Sequence, residues 1–333
     1  MSDIFFQLIL FTSKIVILFL FICGIFVTFF ALIAKGKEKL KGRLVIKNLN
    51  KKNTEVKEEI LAETLSKQEL KQFFKKQKKE EKIKQPSNEK KKKVYVLTFH
   101  GDMKASSITT LREEITSILN VATPADEIVL RLESAGGVIH GYGLAAAQLM
   151  RLRTHHIPLT ITIDKMAASG GYMMACIANK ILCAPFAILG SIGVVVQFPN
   201  FHRLLQDKHI DFEQHTAGEF KRTITLFGEN TESGRKKLQQ EIEEMHHLFK
   251  DLITEYRPQI DIQKVATGEY WLGKQALSLQ LADEIKTSDE YLLERTKHAN
   301  VYEVSYEIKK SFFNKLSAGA NLAWEKVFAF KWS

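Results

Sequence analysis

From residue 94 onward the sequence predicts an α/β fold with a largely parallel sheet, and two observations carry that expectation. Apolar runs of strand length alternate with helix-forming stretches. Three Gly-bearing turns, Ser134-Ala135-Gly136-Gly137, Ser169-Gly170-Gly171 and Gly190-Ser191-Ile192-Gly193, each follow or end such a run. A third observation places this fold behind a membrane anchor: Ile15 to Ala34 is 20 residues without a charge.

Twenty apolar residues suffice to cross a hydrocarbon core of about 30 Å as a helix. Only Asp3 and Lys14 are charged ahead of Lys35, and no A-x-A site precedes it, which favours a retained anchor over a cleaved signal. Lys14 on one flank faces Lys35, Lys37, Lys39, Lys41 and Arg43 on the other, so the positive-inside rule puts the long C-terminal part on the cytoplasmic side.

Residues 35–93 contain 21 Lys and Arg against 9 Asp and Glu; with a net charge of +10 for the chain, everything else sums to −2. The basicity belongs to one segment, which argues against a nucleic-acid-binding core. Val56, Ile60, Leu61, Leu65, Leu70, Phe73 and Phe74 recur there at roughly helical spacing, so a charged helical spacer is expected. The breaker cluster Gln85-Pro86-Ser87-Asn88 marks the start of the folded domain. Cys23, Cys176 and Cys183 have neither metal-ligand spacing nor the pattern of a disulfide framework, and no cofactor or metal is called for.

Within the domain, strands are expected over Val94–Phe99, Ile128–Leu132, Leu159–Ile163, Lys180–Ala184 and Ile192–Val196. Helices are expected over Ile108–Leu119, Tyr142–Arg153 and Tyr172–Ala178. A long charged helix follows from Thr231 to Tyr256 and stops before Pro258; its apolar stripe, including Leu238, Ile242, Phe249 and Ile253, reads as core or subunit contact. Beyond Val301, Phe312, Phe313, Leu316, Trp324 and Trp332 interleave with lysines, as in an amphipathic tail.

Chemistry concentrates on Ser169. A serine between Ala168 and Gly170-Gly171, at a strand-to-helix junction, presents its hydroxyl as a nucleophile does. An acyl-transfer site also needs pre-aimed donors for an oxyanion, and the Gly-Gly turns allow the N–H groups of Gly137 and Gly170 to supply them. The base is open between histidine and a neutral lysine. His140, His202 and His215 are the histidine candidates; Lys221, in a loop-like stretch 52 residues after Ser169, fits better if burial lowers its pKa.

The residues also carry a resemblance. Arg131-Leu-Glu-Ser-Ala-Gly-Gly137, His140-Gly-Tyr-Gly143, Ala167-Ala-Ser-Gly-Gly-Tyr-Met-Met-Ala175, Ala184-Pro-Phe-Ala187, Gly190-Ser-Ile-Gly-Val194, His215-Thr-Ala-Gly218 and Ala266-Thr-Gly268 are similar to the S49 family of serine–lysine peptidases, related to signal peptide peptidase A. With its anchor and basic spacer, the whole chain looks like the SohB branch of that family. The resemblance implies Ser169 as nucleophile, Lys221 as general base, Ser191 holding the lysine amine in line, and Gly137 and Gly170 as oxyanion donors. It implies a Clp-protease/crotonase-like spiral of β-β-α units and a ring-like homo-oligomer. Alanine stands at position 135 where the family commonly has proline, which loosens the turn without removing an N–H.

The expected organisation is an anchor over 1–34, a basic helical linker over 35–93, a peptidase domain over 94–300 and a tail over 301–333. The expected function is a membrane-anchored serine endopeptidase acting on peptides, signal-peptide remnants or unfolded chains, held to lipid by its N-terminal helix. A crotonase-like acyl-thioester enzyme and a non-catalytic membrane scaffold are the alternatives. The resemblance places the domain on the outer side of the bacterial cytoplasmic membrane, against the flanking charge.

Overall fold

The computed structural model describes residues 11–26, 42–83 and 92–308. Two compact units emerge, one of residues 1–44 and 306–333, the other of residues 45–305. In the first, residues 11–26 form a helix, α1, with its apolar side chains exposed. Residues 27–34, the rest of the uncharged stretch, lie outside the described residues, as does the tail from 309. Among the described residues no helix is long and apolar enough to cross a membrane.

The chain then runs through β1 (Arg43–Asn48), α2 (Leu49–Thr64), α3 (Lys67–Ile83), β2 (Lys93–Gly101), α4 (Ile108–Leu119), β3 (Glu127–Ser134) and α5 (Ile139–Thr154). Next come β4 (Leu159–Ile163), β5 (Met166–Ala168), α6 (Gly170–Ala175), β6 (Lys180–Cys183) and β7 (Ile188–Gly190). After α7 (His202–Asp207) and α8 (Glu232–Tyr256) the chain closes with α9 (Ile262–Val265), β8 (Tyr270–Leu272), α10 (Gly273–Ser278), β9 (Glu284–Ile285), α11 (Ser288–His298) and β10 (Asn300–Glu307).

The strands form one sheet in the order β1-β10-β2-β3-β4-β6-β9, with a branch β5-β7-β8. The fork is at β3. Its residues Ile128 to Arg131 pair with β4, but its last residue, Ser134, pairs with Ala167 of β5. Each registered pairing is parallel except β7 with β8. The α/β class with a parallel-dominated sheet is therefore as the sequence predicts.

Alternation in β2 gives the sheet two apolar faces. Tyr95, Leu97 and Phe99 enter a large core with Leu111 and Ile115 of α4, Leu149 of α5 and Tyr172 of α6. Val94 and Val96 point the other way, under Tyr291 and Leu292 of α11. A fully buried side chain of this kind contributes about 1.5–3 kcal/mol, so the main face dominates stability.

The structure departs from the sequence expectation at several places. No strand covers Ile192–Val196; the strand is β7, and residues 191–201 lack regular structure. Ser191 sits at φ 51°, which ends β7; Ile192 is buried in the core, but Val195 is 76% and Val196 43% exposed, so burial of the apolar run stops short of its end. Residue 300 is not the end of the domain, because β10 pairs with β2 from Asn300 onward. Within 35–93 the described residues form the strand β1 before the helices α2 and α3, and α2 is fixed to the domain: Asn50 Nδ2 donates to the carbonyls of Thr296 and Ala299, both at 2.9 Å, and its Oδ1 accepts from Val301 N–H at 2.7 Å. The stripe on α8 is buried only at Phe249 and Ile253, while Leu248 is exposed.

Candidate active site

The β3 fork positions the serine. β5 leaves the main sheet for only three residues, pairs on its other side with β7, and ends at Ala168 opposite Gly190. Ser169 then turns the chain directly into α6. Its backbone is at φ 52°, ψ −119°, a conformation that costs a side-chain-bearing residue on the order of 1–3 kcal/mol. What holds it there is a hydrogen bond at each end: Ser169 N–H donates to Gly190 O at 2.8 Å, and Ser169 O accepts from Met173 N–H at 3.0 Å. The side chain is half-buried, and its hydroxyl makes no hydrogen bond among the described residues.

The first Gly-bearing turn lies against this serine. Gly136 adopts φ +88°, and a methyl group built on it would fall 2.7 Å from Gly170 N and 2.8 Å from Ser169 Cβ. No larger residue could bring the two turns so close. Gly136 N–H is taken up by Ser134 Oγ at 3.0 Å, and Val138 N–H by Met103 O at 2.9 Å. Among the described residues the N–H groups of Gly137 and Gly170 have no partner, which is the state an oxyanion donor requires.

Ser191 continues from β7 into the same neighbourhood. It is half-buried, and its N–H donates to Glu269 O at 2.6 Å. Glu269 is 78 positions further along the chain. Nothing local in the sequence marks that brace, nor the one from Met103.

Lys221 is placed differently. Residues 194–222 are largely exposed, and Lys221 lies among them with its N–H on Gly218 O at 3.1 Å. Its neighbours lean on the start of α8: Phe220 lies 5.4 Å from Lys237 Nζ, and Thr223 O abuts Gly234. Among the described residues Lys221 makes no hydrogen bond or ion pair with Ser169 or Ser191, and the burial that a neutral lysine asks for is absent in the single chain. The structure thus brings together Ser169, Gly137, Gly170 and Ser191, and leaves Lys221 on an exposed segment.

The candidate histidines do not replace it. His140 is exposed at the start of α5, His202 Nδ1 lies 3.3 Å from Phe227 O, and His215 Nε2 lies 3.7 Å from Glu213. Among the described residues no three His, Cys, Asp or Glu side chains are grouped as metal ligands. A cavity of about 310 Å³ opens at the carboxyl ends of β2, β3 and β4, lined by Thr98, His100, Arg131, Glu133, Thr162 and Asp164 among others; it contains none of the five candidate residues.

Residues 3–149 match the model of the N-terminal region of peptidase family S49, and residues 151–302 match that of peptidase family S49 itself. A Haemophilus influenzae protein described as a probable protease SohB is 52% identical over 291 residues, covering 84% of this chain and 82% of the relative. Proteins with the same description from Buchnera aphidicola are similar: 54% identical over 228 residues in subspecies Acyrthosiphon pisum, covering 68% of each chain, and 46% over 334 residues in subspecies Schizaphis graminum, covering 97% of each.

Proposed function

Because the chain belongs to peptidase family S49, in its SohB branch, we propose that it is a membrane-anchored serine endopeptidase working through Ser169 and Lys221. The observation that carries this reading is Ser169 itself. An unbonded hydroxyl sits on a strained backbone between two turns whose Gly137 and Gly170 N–H groups are unclaimed among the described residues.

In this reading Ser169 Oγ attacks the scissile carbonyl carbon and its proton passes to Lys221 Nζ. Gly137 and Gly170 N–H groups receive the developing oxyanion, a contribution of about 3–4 kcal/mol per donor at the transition state. Collapse expels the amine, which takes the proton from Lys221, and leaves an acyl-enzyme on Ser169. Water, deprotonated by Lys221, releases the second product. Ser191 Oγ holds the lysine amine in line.

The base must reach the serine, and the exposed segment that carries it supplies the means. Phe198, Phe201, Phe212 and Phe220 are each about 40–55% exposed there. Burying these rings in a ring-like assembly would bring Lys221 out of water, the setting that a lysine base asks for. The Clp-protease/crotonase-like spiral and its assembly into rings are part of the same proposal, supported by the β-β-α order of β4, β5 and α6.

Ile15 to Ala34 is read as the anchor in a bacterial cytoplasmic membrane, on its 20 uncharged positions. The substrates in this reading are extended peptides, signal-peptide remnants or unfolded chains. The test is cleavage of an unfolded protein and of fluorogenic peptides by the full chain in detergent, alongside Ser169→Ala and Lys221→Ala. Loss of nearly all activity in both variants is expected. Retention of cleavage by Lys221→Ala would return the base to His140, His202 or His215.

A further inference from the structure

Tyr142 touches one half of the candidate oxyanion site with its ring and reaches the other through Ser134, and the direction of its hydrogen bonds is fixed by chemistry alone. Its hydroxyl lies 2.8 Å from Asp102 O and 2.5 Å from Ser134 Oγ, and Ser134 Oγ lies 3.0 Å from Gly136 N. A backbone carbonyl can only accept, so Tyr142 gives its single proton to Asp102 O. Tyr142 then has only lone pairs left for Ser134, so the serine hydroxyl donates to Tyr142. Ser134 Oγ in turn has only lone pairs left, and these accept the N–H of Gly136. The result is a one-way chain from Gly136 through Ser134 and Tyr142 to Asp102, in which each bond polarises the next.

The two hydroxyls in this chain are sealed from water. Tyr142 is fully buried and Ser134 is 2% exposed, so neither hydroxyl has solvent as an alternative partner. Burial, more than its bond to Ser134 can offset, holds the Tyr142 hydroxyl above the usual phenol range, which keeps the donated proton in place. Room for the hydroxyl pair is made by Gly101, where a methyl group would fall 2.3 Å from Ser134 Oγ and 2.4 Å from Tyr142 Oη.

The ring of the same tyrosine supports the other half. A methyl group on Gly170 would fall 2.4 Å from Tyr142 Cγ, so the backbone that follows the nucleophile lies directly on this side chain. The ring is itself fixed by an edge contact with Phe99, with centroids 6.4 Å apart. One side chain therefore sets Gly170 with its ring and, through Ser134, Gly136 with its hydroxyl.

We propose that Tyr142 and Ser134 are positioning residues that hold the two oxyanion donors, Gly137 and Gly170, at a fixed separation around Ser169. This rests on the peptidase reading above and adds to it the two side chains that set the donor geometry. Neither touches substrate; each acts through the backbone it holds.

The experiment compares full-length wild type with Tyr142→Phe, Ser134→Ala and the double variant, in detergent, on one fluorogenic peptide that the wild type cleaves. Rates are divided by the burst of acyl-enzyme, so that only folded, acylating sites are counted. Each single variant is expected to lose about 10- to 100-fold in kcat with KM within about twofold, the scale of a donor displaced by an ångström or less. The double variant should be no slower than the worse single one, because both remove the same chain. Binding of a peptide boronate, which mimics the oxyanion, should weaken in step with kcat, while binding of a product peptide stays unchanged. A kcat within twofold of wild type in both single variants, losses that multiply in the double variant, or a rise in KM equal to the fall in kcat would each overturn the proposal. A wild type that cuts nothing would instead remove the peptidase reading, and this proposal with it.

Discussion

Ser169 and Ser191 are joined through one hydrogen bond, from Ser169 N–H to the carbonyl of Gly190 at 2.8 Å, and the two serines share an unusual backbone. Each ends a three-residue strand of the branch, and their φ values are 52° and 51°. Parallel strands that stop in step, with Ala168 opposite Gly190, thus deliver two hydroxyls to the same edge of the sheet. The rest of the fold holds that edge still, and its consequences can be measured.

The strain at Ser169 is separable from its chemistry. Glycine accepts φ 52°, ψ −119° without cost, so Ser169→Gly should raise stability to urea by about 1 kcal/mol, after allowing for glycine's greater freedom when unfolded. Peptide cleavage should vanish in the same variant. A variant that is less stable than Ser169→Ala would mean that the turn is unstrained.

Two glycines offer a matched comparison. At Gly136, φ +88° and the nearby Gly170 N and Ala168 O leave no room for a methyl group, so Gly136→Ala should cost more than about 1 kcal/mol and most of the activity. Gly143 lies within α5 with nothing within 4 Å of a built Cβ. Gly143→Ala should therefore gain about 0.5–1 kcal/mol, the helix propensity difference, with cleavage unaltered. Thermal melts of the two variants, run side by side, check both signs.

These residues also show what the sequence could reveal. The helix over Thr231 to Tyr256 was legible because its signals are local: Thr231 caps it through a bond to Gly234 N–H at 3.1 Å, and Pro258 follows its end. Ser169 and the Gly-Gly turns were legible for the same reason. β5 was not, since three residues between Lys165 and Ser169 are too few to show a period. The apolar run Ile192–Val196 misled because periodicity reports what could be buried, and in the single chain residues 195 and 196 are exposed. The braces on Ser191 from Glu269 and on Val138 from Met103 arise from the folded topology, for which no local signal exists.

The cysteines give a prediction free of any functional reading. Burial pushes the Cys176 thiol up to about 12 and the Cys183 thiol up to about 11, and both side chains are inaccessible. Only the thiolate reacts with iodoacetamide, so neither should be alkylated at pH 8 in the folded protein, and both should be once urea unfolds it. Mass spectrometry of tryptic peptides would read this directly, and modification of either in the native state would contradict the packing beneath α6.

Asp126 supplies the pH dependence. Its carboxylate is 5% exposed and accepts from Lys93 N–H at 3.0 Å, Thr123 N–H at 2.9 Å and Thr123 Oγ1 at 3.0 Å, so it pins the first residue of β2 to the turn before β3. Burial works to raise its pKa, but the backbone bonds from Thr123 and Lys93 outweigh it and hold the group below the usual carboxylate range. A depressed folded value means that the unfolded chain takes up the proton first. The stabilisation is then complete above the unfolded value of about 3.9 and fades as pH falls from there through the folded value. Asparagine resembles the protonated acid, so wild type should exceed Asp126→Asn in stability at pH 7, and the gap should close below about pH 4. Urea titrations of both proteins from pH 7 to pH 3 would show it, and a gap that stays constant across that range would mean that shape at this turn, rather than charge, is what ties β2 to β3.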